Sequence, residues 1–164
     1  AEAGVNWALA ARGSQALASS QQIGPAQNWP AAGVIDGVRD ELGWGAGHGW
    51  ASEFGQPLPQ WLEVRFPTPR VIEQFCIVTF QTQLGAENAA KWGVKDYVIE
   101  VWDGEGQQWK VVVEENGGRT MKNRVHQLAA PVRTERFRVV VHKVAPADGI
   151  ARLMQVEAWG PAEQ

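Results

Sequence analysis

Residues 96–115 read DYVIEVWDGEGQQWKVVVEE. Tyr97, Ile99 and Val101 alternate with Val98, Glu100 and Trp102. Successive side chains of an extended chain point to opposite faces, so this period of two turns one apolar row toward a core. After the turn, Trp109, Val111 and Val113 alternate in the same way with Lys110, Val112 and Glu114. Asp103-Gly104 between the two runs carries turn chemistry. The stretch predicts two antiparallel strands joined by a short hairpin.

The same reading extends outward in both directions. In WLEVRF (61–66), Leu62, Val64 and Phe66 oppose Glu63 and Arg65. In RFRVVVHKV (136–144), Phe137, Val139 and Val141 face inward, with Arg136, Arg138 and His142 outward. RLMQVEAWG (152–160) places Met154, Val156 and Ala158 on one face. These are strand signals. Asn116-Gly117-Gly118 marks a turn, and Pro67 and Pro69 cannot sit in a central strand. No stretch predicts a long helix; ENAAKWG (87–93) has room for one turn. Residues 36–60 read as a long loop with fixed points, a length that points to function or to disorder. Many short antiparallel strands in one chain predict a β-sandwich or jelly roll.

The chain has 164 residues, which predicts one domain over 1–164. Its net charge of −3 and scattered basic residues argue against a nucleic-acid-binding surface. No apolar run reaches the roughly 18 residues that would span a bilayer. No signal peptide is visible at Ala1: either none preceded it, or the chain starts after its removal. Cys76 is the single cysteine and lies in the apolar run VIEQFCIVTF (71–80), which predicts a buried inert thiol. Nine tryptophans are more than a core of this size needs, so some are expected at a binding site. Trp50, Trp61, Trp102, Trp109 and Trp159 are expected to pack within the fold.

The stretch GWGAGHGW (43–50) alternates glycine with Trp44, Ala46, His48 and Trp50. Two readings fit Trp44: an indole offered to a ligand, or a plug under the loop. Two readings also fit His48: a donor to a ligand hydroxyl, or a satisfied loop histidine. No nucleophile elbow, P-loop or His-Glu-x-x-His motif is present, so catalysis is not expected.

The ordered blocks NWALAARGSQALASSQQ, VIDG, Trp50-Ala51-Ser52, PQWLEVRFPTPRVIEQFCIV, WGVKDYVIEVWDGEGQQWKVV and RFRVVVHKV…GIARLMQVEAWG resemble discoidin, or coagulation factor 5/8 type C, domains. The resemblance covers nearly the whole chain. It implies an all-β, eight-stranded antiparallel jelly-roll β-sandwich of the galactose-binding type, with ligands held on loops at one end. Bacterial members, including carbohydrate-binding modules of family 32, are appended to secreted glycosidases and bind sugars; animal members bind membranes or proteins. The terminal cysteine pair of animal members is missing, which favours the bacterial, extracellular kind. The resemblance also implies a structural Ca²⁺ between the loop after Asp36-Gly37 and a glutamate near the last strand. Asp36 and Asp40 are its candidate ligands. Val38 and Gln155 stand where that pattern has a polar residue and the glutamate.

The expectation is therefore a non-catalytic module that holds a glycan near an attached extracellular enzyme or adhesin. Trp44 would stack on a sugar ring and His48 would fix a hydroxyl. Arg39, Asn88, Lys91, Trp92, Arg119 and Asn123 would complete the site. The alternative is a protein-interaction or assembly domain of a larger secreted enzyme. A membrane-surface module is disfavoured, because Asp40, Glu41 and Glu53 flank the glycine-rich loop with negative charge.

Overall fold

The computed structural model describes residues 4–40, 42–79, 93–116 and 123–162. Ten strands are defined among them, in chain order: β1 (Val5–Asn6), β2 (Gln15–Ala18), β3 (Gln22–Ile23), β4 (Asn28–Trp29), β5 (Trp50–Ala51), β6 (Gln60–Thr79), β7 (Val94–Asp103), β8 (Gln108–Glu115), β9 (Asn123–Val144) and β10 (Arg152–Gly160). Eight of them join one antiparallel hydrogen-bonded network, and β3 pairs with β4 apart from it. The only helical pieces described are two single 3-10 turns, Ala10–Arg12 and Ala31–Val34.

The network becomes a two-layer sandwich because β6 and β9 are too long to lie flat. Twenty extended residues reach roughly 65 Å, about four times the radius of gyration of a compact chain this size. Both strands bend where pairing breaks, between Arg65 and Arg70 opposite Arg136 and Thr134. Pro67 and Pro69 occupy that bend, as expected of residues that cannot donate to a ladder. One layer holds β2, the first half of β6, the second half of β9, β7 and β8. The other holds β1, β10, β5, the second half of β6 and the first half of β9. Leu62, Val64, Phe75, Ile77, Ile99, Phe137, Val139, Leu153 and Val156 fill the space between them. Burial of each such side chain contributes roughly 1.5–3 kcal/mol.

Two strands depart from the alternation expected of them. In β10, Met154 packs against Cys76 and Val78 while Leu153, Val156 and Ala158 join the core, across a register shift between Leu153 and Gln155. The other is β8. Val113 is buried, but Val111 is 57% exposed, and Trp109 turns outward to meet Trp102 edge-on with centroids 5.3 Å apart. Ile99 pairs with Val113 while its neighbour Glu100 pairs with Val111. Val112 is thus an extra residue in the ladder, a β-bulge, and the faces exchange across it.

Among the described residues, long loops gather at one end of the sandwich. Gln60, Thr79, Val94 and Arg152 lie at strand ends there, and the β3–β4 hairpin and the 36–49 loop extend from it.

Candidate functional site

The glycines of the 43–50 stretch each take a left-handed φ: 86° at Gly43, 87° at Gly45, 91° at Gly47 and 80° at Gly49. Side chains rarely adopt such angles, so alternate glycine is what lets this backbone curl. The curl is stitched to its surroundings. Asn28 N donates to Gly45 O (2.8 Å), Gly47 N to Asn28 O (3.2 Å) and Gly49 N to Gly33 O (2.9 Å). A Cβ on Gly49 would lie 2.2 Å from Cζ3 of Trp44, so the indole rests directly on that glycine.

Three residues expected to meet a ligand have partners within the chain that fasten this loop. Trp44 is half-buried against Cys76, Val78 and Met154 on the outer side of the β6–β10 layer, and its ring tilts against Trp29 at 6.1 Å. This is the packing reading of Trp44; the face that sits on Gly49 is closed to a sugar. His48 is 5% exposed, with Nδ1 2.7 Å from Oδ2 of Asp36 and Nε2 2.6 Å from the carbonyl of Asp40. Both ring nitrogens have partners within the chain, so His48 holds the loop. Arg39 clamps the carboxylate of Glu157 on β10, Nε to Oε2 at 2.7 Å and Nη2 to Oε1. That bond holds the Arg39 guanidinium proton above its ordinary affinity. Together these contacts fold the loop down over a sheet face, and they explain why Met154, Gln155 and Glu157 are all buried on β10.

Among the described residues, the exposed aromatic ring at this end is Phe54, 73% accessible. It borders a groove of about 320 Å³ lined by Gln21, Gln22, Ile23, Gln27, Trp29 and Glu53. Distant backbone is drawn together to make it. Trp50, wholly buried, donates through Nε1 to Ser20 O (2.9 Å). Gln22 Nε2 donates to Ser52 O (2.8 Å), and Glu53 N to the Ser20 hydroxyl (3.0 Å). Gln21 accepts from Ala31 N through Oε1 (2.9 Å). These bonds set two aromatic rings, Phe54 and Trp29, one exposed isoleucine and several amide groups around a concave surface. Such a mixture is typical of small-ligand sites.

The family model described as the F5/8 type C domain matches residues 15–156. The chain belongs to the F5/8 type C domain family. Similar solved structures include the family 32 carbohydrate-binding module of Clostridium perfringens NanJ in complex with galactose. It is 17% identical, with a TM-score of 0.67, covering 90% of this chain and 93% of that one. Chitosan-binding module 2 of the Paenibacillus sp. IK-5 chitosanase/glucanase, in complex with chitotriose, is 20% identical, with a TM-score of 0.70 and coverage of 94% and 100%. A Streptococcus pneumoniae fucose binding module is 14% identical, with a TM-score of 0.69 and coverage of 95% of each chain. At these identities the likeness carries the β-sandwich fold. No curated protein matches the chain.

For an F5/8 type C domain, the Asp36 region is where the resemblance suggested calcium. Calcium takes six to eight oxygen donors. Here the two Asp36 oxygens face nitrogen atoms: Oδ1 accepts from Gln155 Nε2 and from Val38 N (3.0 Å), and Oδ2 meets His48. Gln155 Nε2 also lies 3.3 Å from Gly33 O. The Asp40 carboxylate accepts from Leu42 N (2.9 Å), while its carbonyl is taken by His48. Among the described residues no cluster of three or more His, Cys, Asp or Glu could hold a metal. This donor set does not fit calcium, and neither Asp36 nor Asp40 is arranged as a ligand.

Asn123 opens β9 opposite Val78, is exposed, and does not line the groove. Trp92, Asn88, Lys91 and Arg119 lie outside the described residues. Sequence reasoning passed over Phe54, Ile23 and Gln27. The available signal was Phe54 itself, an aromatic in the turn Glu53-Phe54-Gly55 with no alternating partner to bury it.

Proposed function

We propose that this domain is a non-catalytic carbohydrate-binding module, and that its glycan site is the groove between the β3–β4 hairpin and Phe54. Family membership and the loop-end groove support this reading. The observation that carries it is Phe54, a ring left 73% exposed beside amide side chains on a stiff support. A sugar offers a C–H face that covers such a ring and hydroxyls that pair with Gln21, Gln22 and Gln27. Among the described residues, Glu53 is the one ionic group lining the groove, and residues 13–38 and 42–60 contain no Lys or Arg. Neutral and amino sugars suit that surface; carboxylated sugars would meet a like charge.

The setting we propose is bacterial and extracellular, with the domain tethered to an enzyme or adhesin. Tethering raises the effective concentration of glycan near the partner without altering its chemistry.

A glycan array followed by calorimetry of the best ligand tests the reading. Phe54→Ala should weaken binding about 10-fold or more, because losing a buried Phe contact forfeits roughly 1.5–3 kcal/mol. Unchanged affinity would remove the groove from consideration. Silence across the array would favour an assembly role instead.

A further inference from the structure

We propose that hydrogen-bond donors built into the chain close the 36–49 loop in the place of a divalent cation, with His48 and Gln155 as the positioning residues. The loop's shape is then independent of calcium. Asp36 is the hub. Its side chain is one-third exposed, yet Oδ1 accepts from Gln155 and the Val38 amide while Oδ2 faces His48. A bound cation would need those oxygens turned toward it with further oxygens around it. What surrounds them is nitrogen: the Gln155 amide, the Val38 N–H and the His48 ring.

His48 supplies the central part of this arrangement. Its partners are a carboxylate oxygen at 2.7 Å and a main-chain carbonyl at 2.6 Å. A main-chain carbonyl only accepts hydrogen bonds, so Nε2 meets it as a donor, while Nδ1 lies against the carboxylate. One ring thereby ties the first residue of the loop to its fifth, as a cation bridging two oxygens would. Its enclosure, with 5% exposure, shields both bonds from water. Gln155 completes the bridge from the other side, linking Asp36 to Gly33 O and accepting from Gly37 N at 3.1 Å. It joins the loop to β10, far away in sequence. An amide can do this because it donates and accepts at once; a glutamate there would face Asp36 with like charge.

The test uses the full chain and needs no glycan. Thermal unfolding of the unmodified protein is recorded in EDTA and in millimolar calcium chloride, with hydrogen exchange followed at the Gly37, Val38 and Leu42 amides. The expected result is the same melting temperature and the same protection in both solutions. Calcium that raises the melting temperature, or EDTA that speeds exchange at those amides, would overturn the proposal. His48→Ala should speed exchange at those amides about tenfold or more, the scale of losing a hydrogen bond to a charged group. Unaltered exchange in that variant would refute the role of His48. Gln155→Glu gives a second arm should His48→Ala fail to fold. It should melt lower than the parent protein in EDTA; equal melting would refute the role of Gln155.

Discussion

Replacing Gly49 by alanine tests the packing that turns the glycine-rich loop away from solvent. Two separable penalties follow from the geometry. Gly49 has a φ of 80°, which for a residue with a Cβ costs roughly 1–2 kcal/mol. The added methyl would also lie 2.2 Å from Cζ3 and 2.4 Å from Cε3 of Trp44, and 3.2 Å from the carbonyl of Leu153. The indole must leave its place against Cys76, Val78 and Met154, and such overpacking costs roughly 1–3 kcal/mol more. The sum, about 2–5 kcal/mol, lowers the melting temperature of a domain this size by roughly 5–15 °C. Gly55→Ala is the control. Its φ is 86°, but nothing lies within 4 Å of the added carbon, so only the backbone penalty applies. Differential scanning calorimetry of both variants, with Trp44→Ala alone and combined with Gly49→Ala, completes a double-mutant cycle. In the Trp44→Ala background the indole clash disappears and only the 3.2 Å contact with the Leu153 carbonyl remains, so Gly49→Ala should cost clearly less than in the parent. Equal losses for Gly49→Ala and Gly55→Ala in the parent background would show that Trp44 does not rest on Gly49.

Further tests address other parts of the molecule. Val111→Lys should change urea-unfolding stability by less than about 0.5 kcal/mol, as for an ordinary surface site. Val113→Lys should destabilise severely, because it buries an unpaired charge; equal effects at the two positions would contradict the bulge at Val112. Cys76 is buried, and that burial, reinforced by Glu157 and opposed by Arg39, raises its pKa from 9.0 to about 11. The unfolded chain therefore releases the thiol proton first, so stability is intact below pH 9 and declines as pH climbs toward 11. Two pKa units correspond to about 2–3 kcal/mol. Urea titrations at pH 8 and pH 10.5 should show that decline, with a shallower one in Cys76→Ala; parallel slopes would refute it. Phe54→Ala and the calcium comparison complete the set.

Much of the scaffold was legible in the residues. Strand alternation is a local property of the backbone, and it placed Leu62, Val64, Ile99, Phe137, Val139 and Val156 in the core. It failed at Val111, because one additional residue in a ladder inverts every later side chain and leaves no mark on composition. Pro67 and Pro69 were expected to stand outside a central strand. The β6–β9 pairing does lapse beside them, since a missing N–H is visible in the residue type itself, but β6 runs on through a bend rather than ending.

The site divides differently. The sequence by itself determined that the 43–50 stretch would curl, because only glycine accepts left-handed φ at every second position. It also determined that the chain belongs among β-sandwiches with long loops at one end. Which way Trp44, His48 and Arg39 point was decided by partners more than a hundred residues away: Glu157 for Arg39, Met154 for Trp44, and Gln155 acting on His48 through Asp36. The groove beside Phe54 likewise exists because Ser20 and Gln22 are bonded to Trp50, Ser52 and Glu53. Contacts between segments so far apart are settled only when the whole chain packs, since no local period can encode which distant carboxylate or carbonyl will lie within 3 Å.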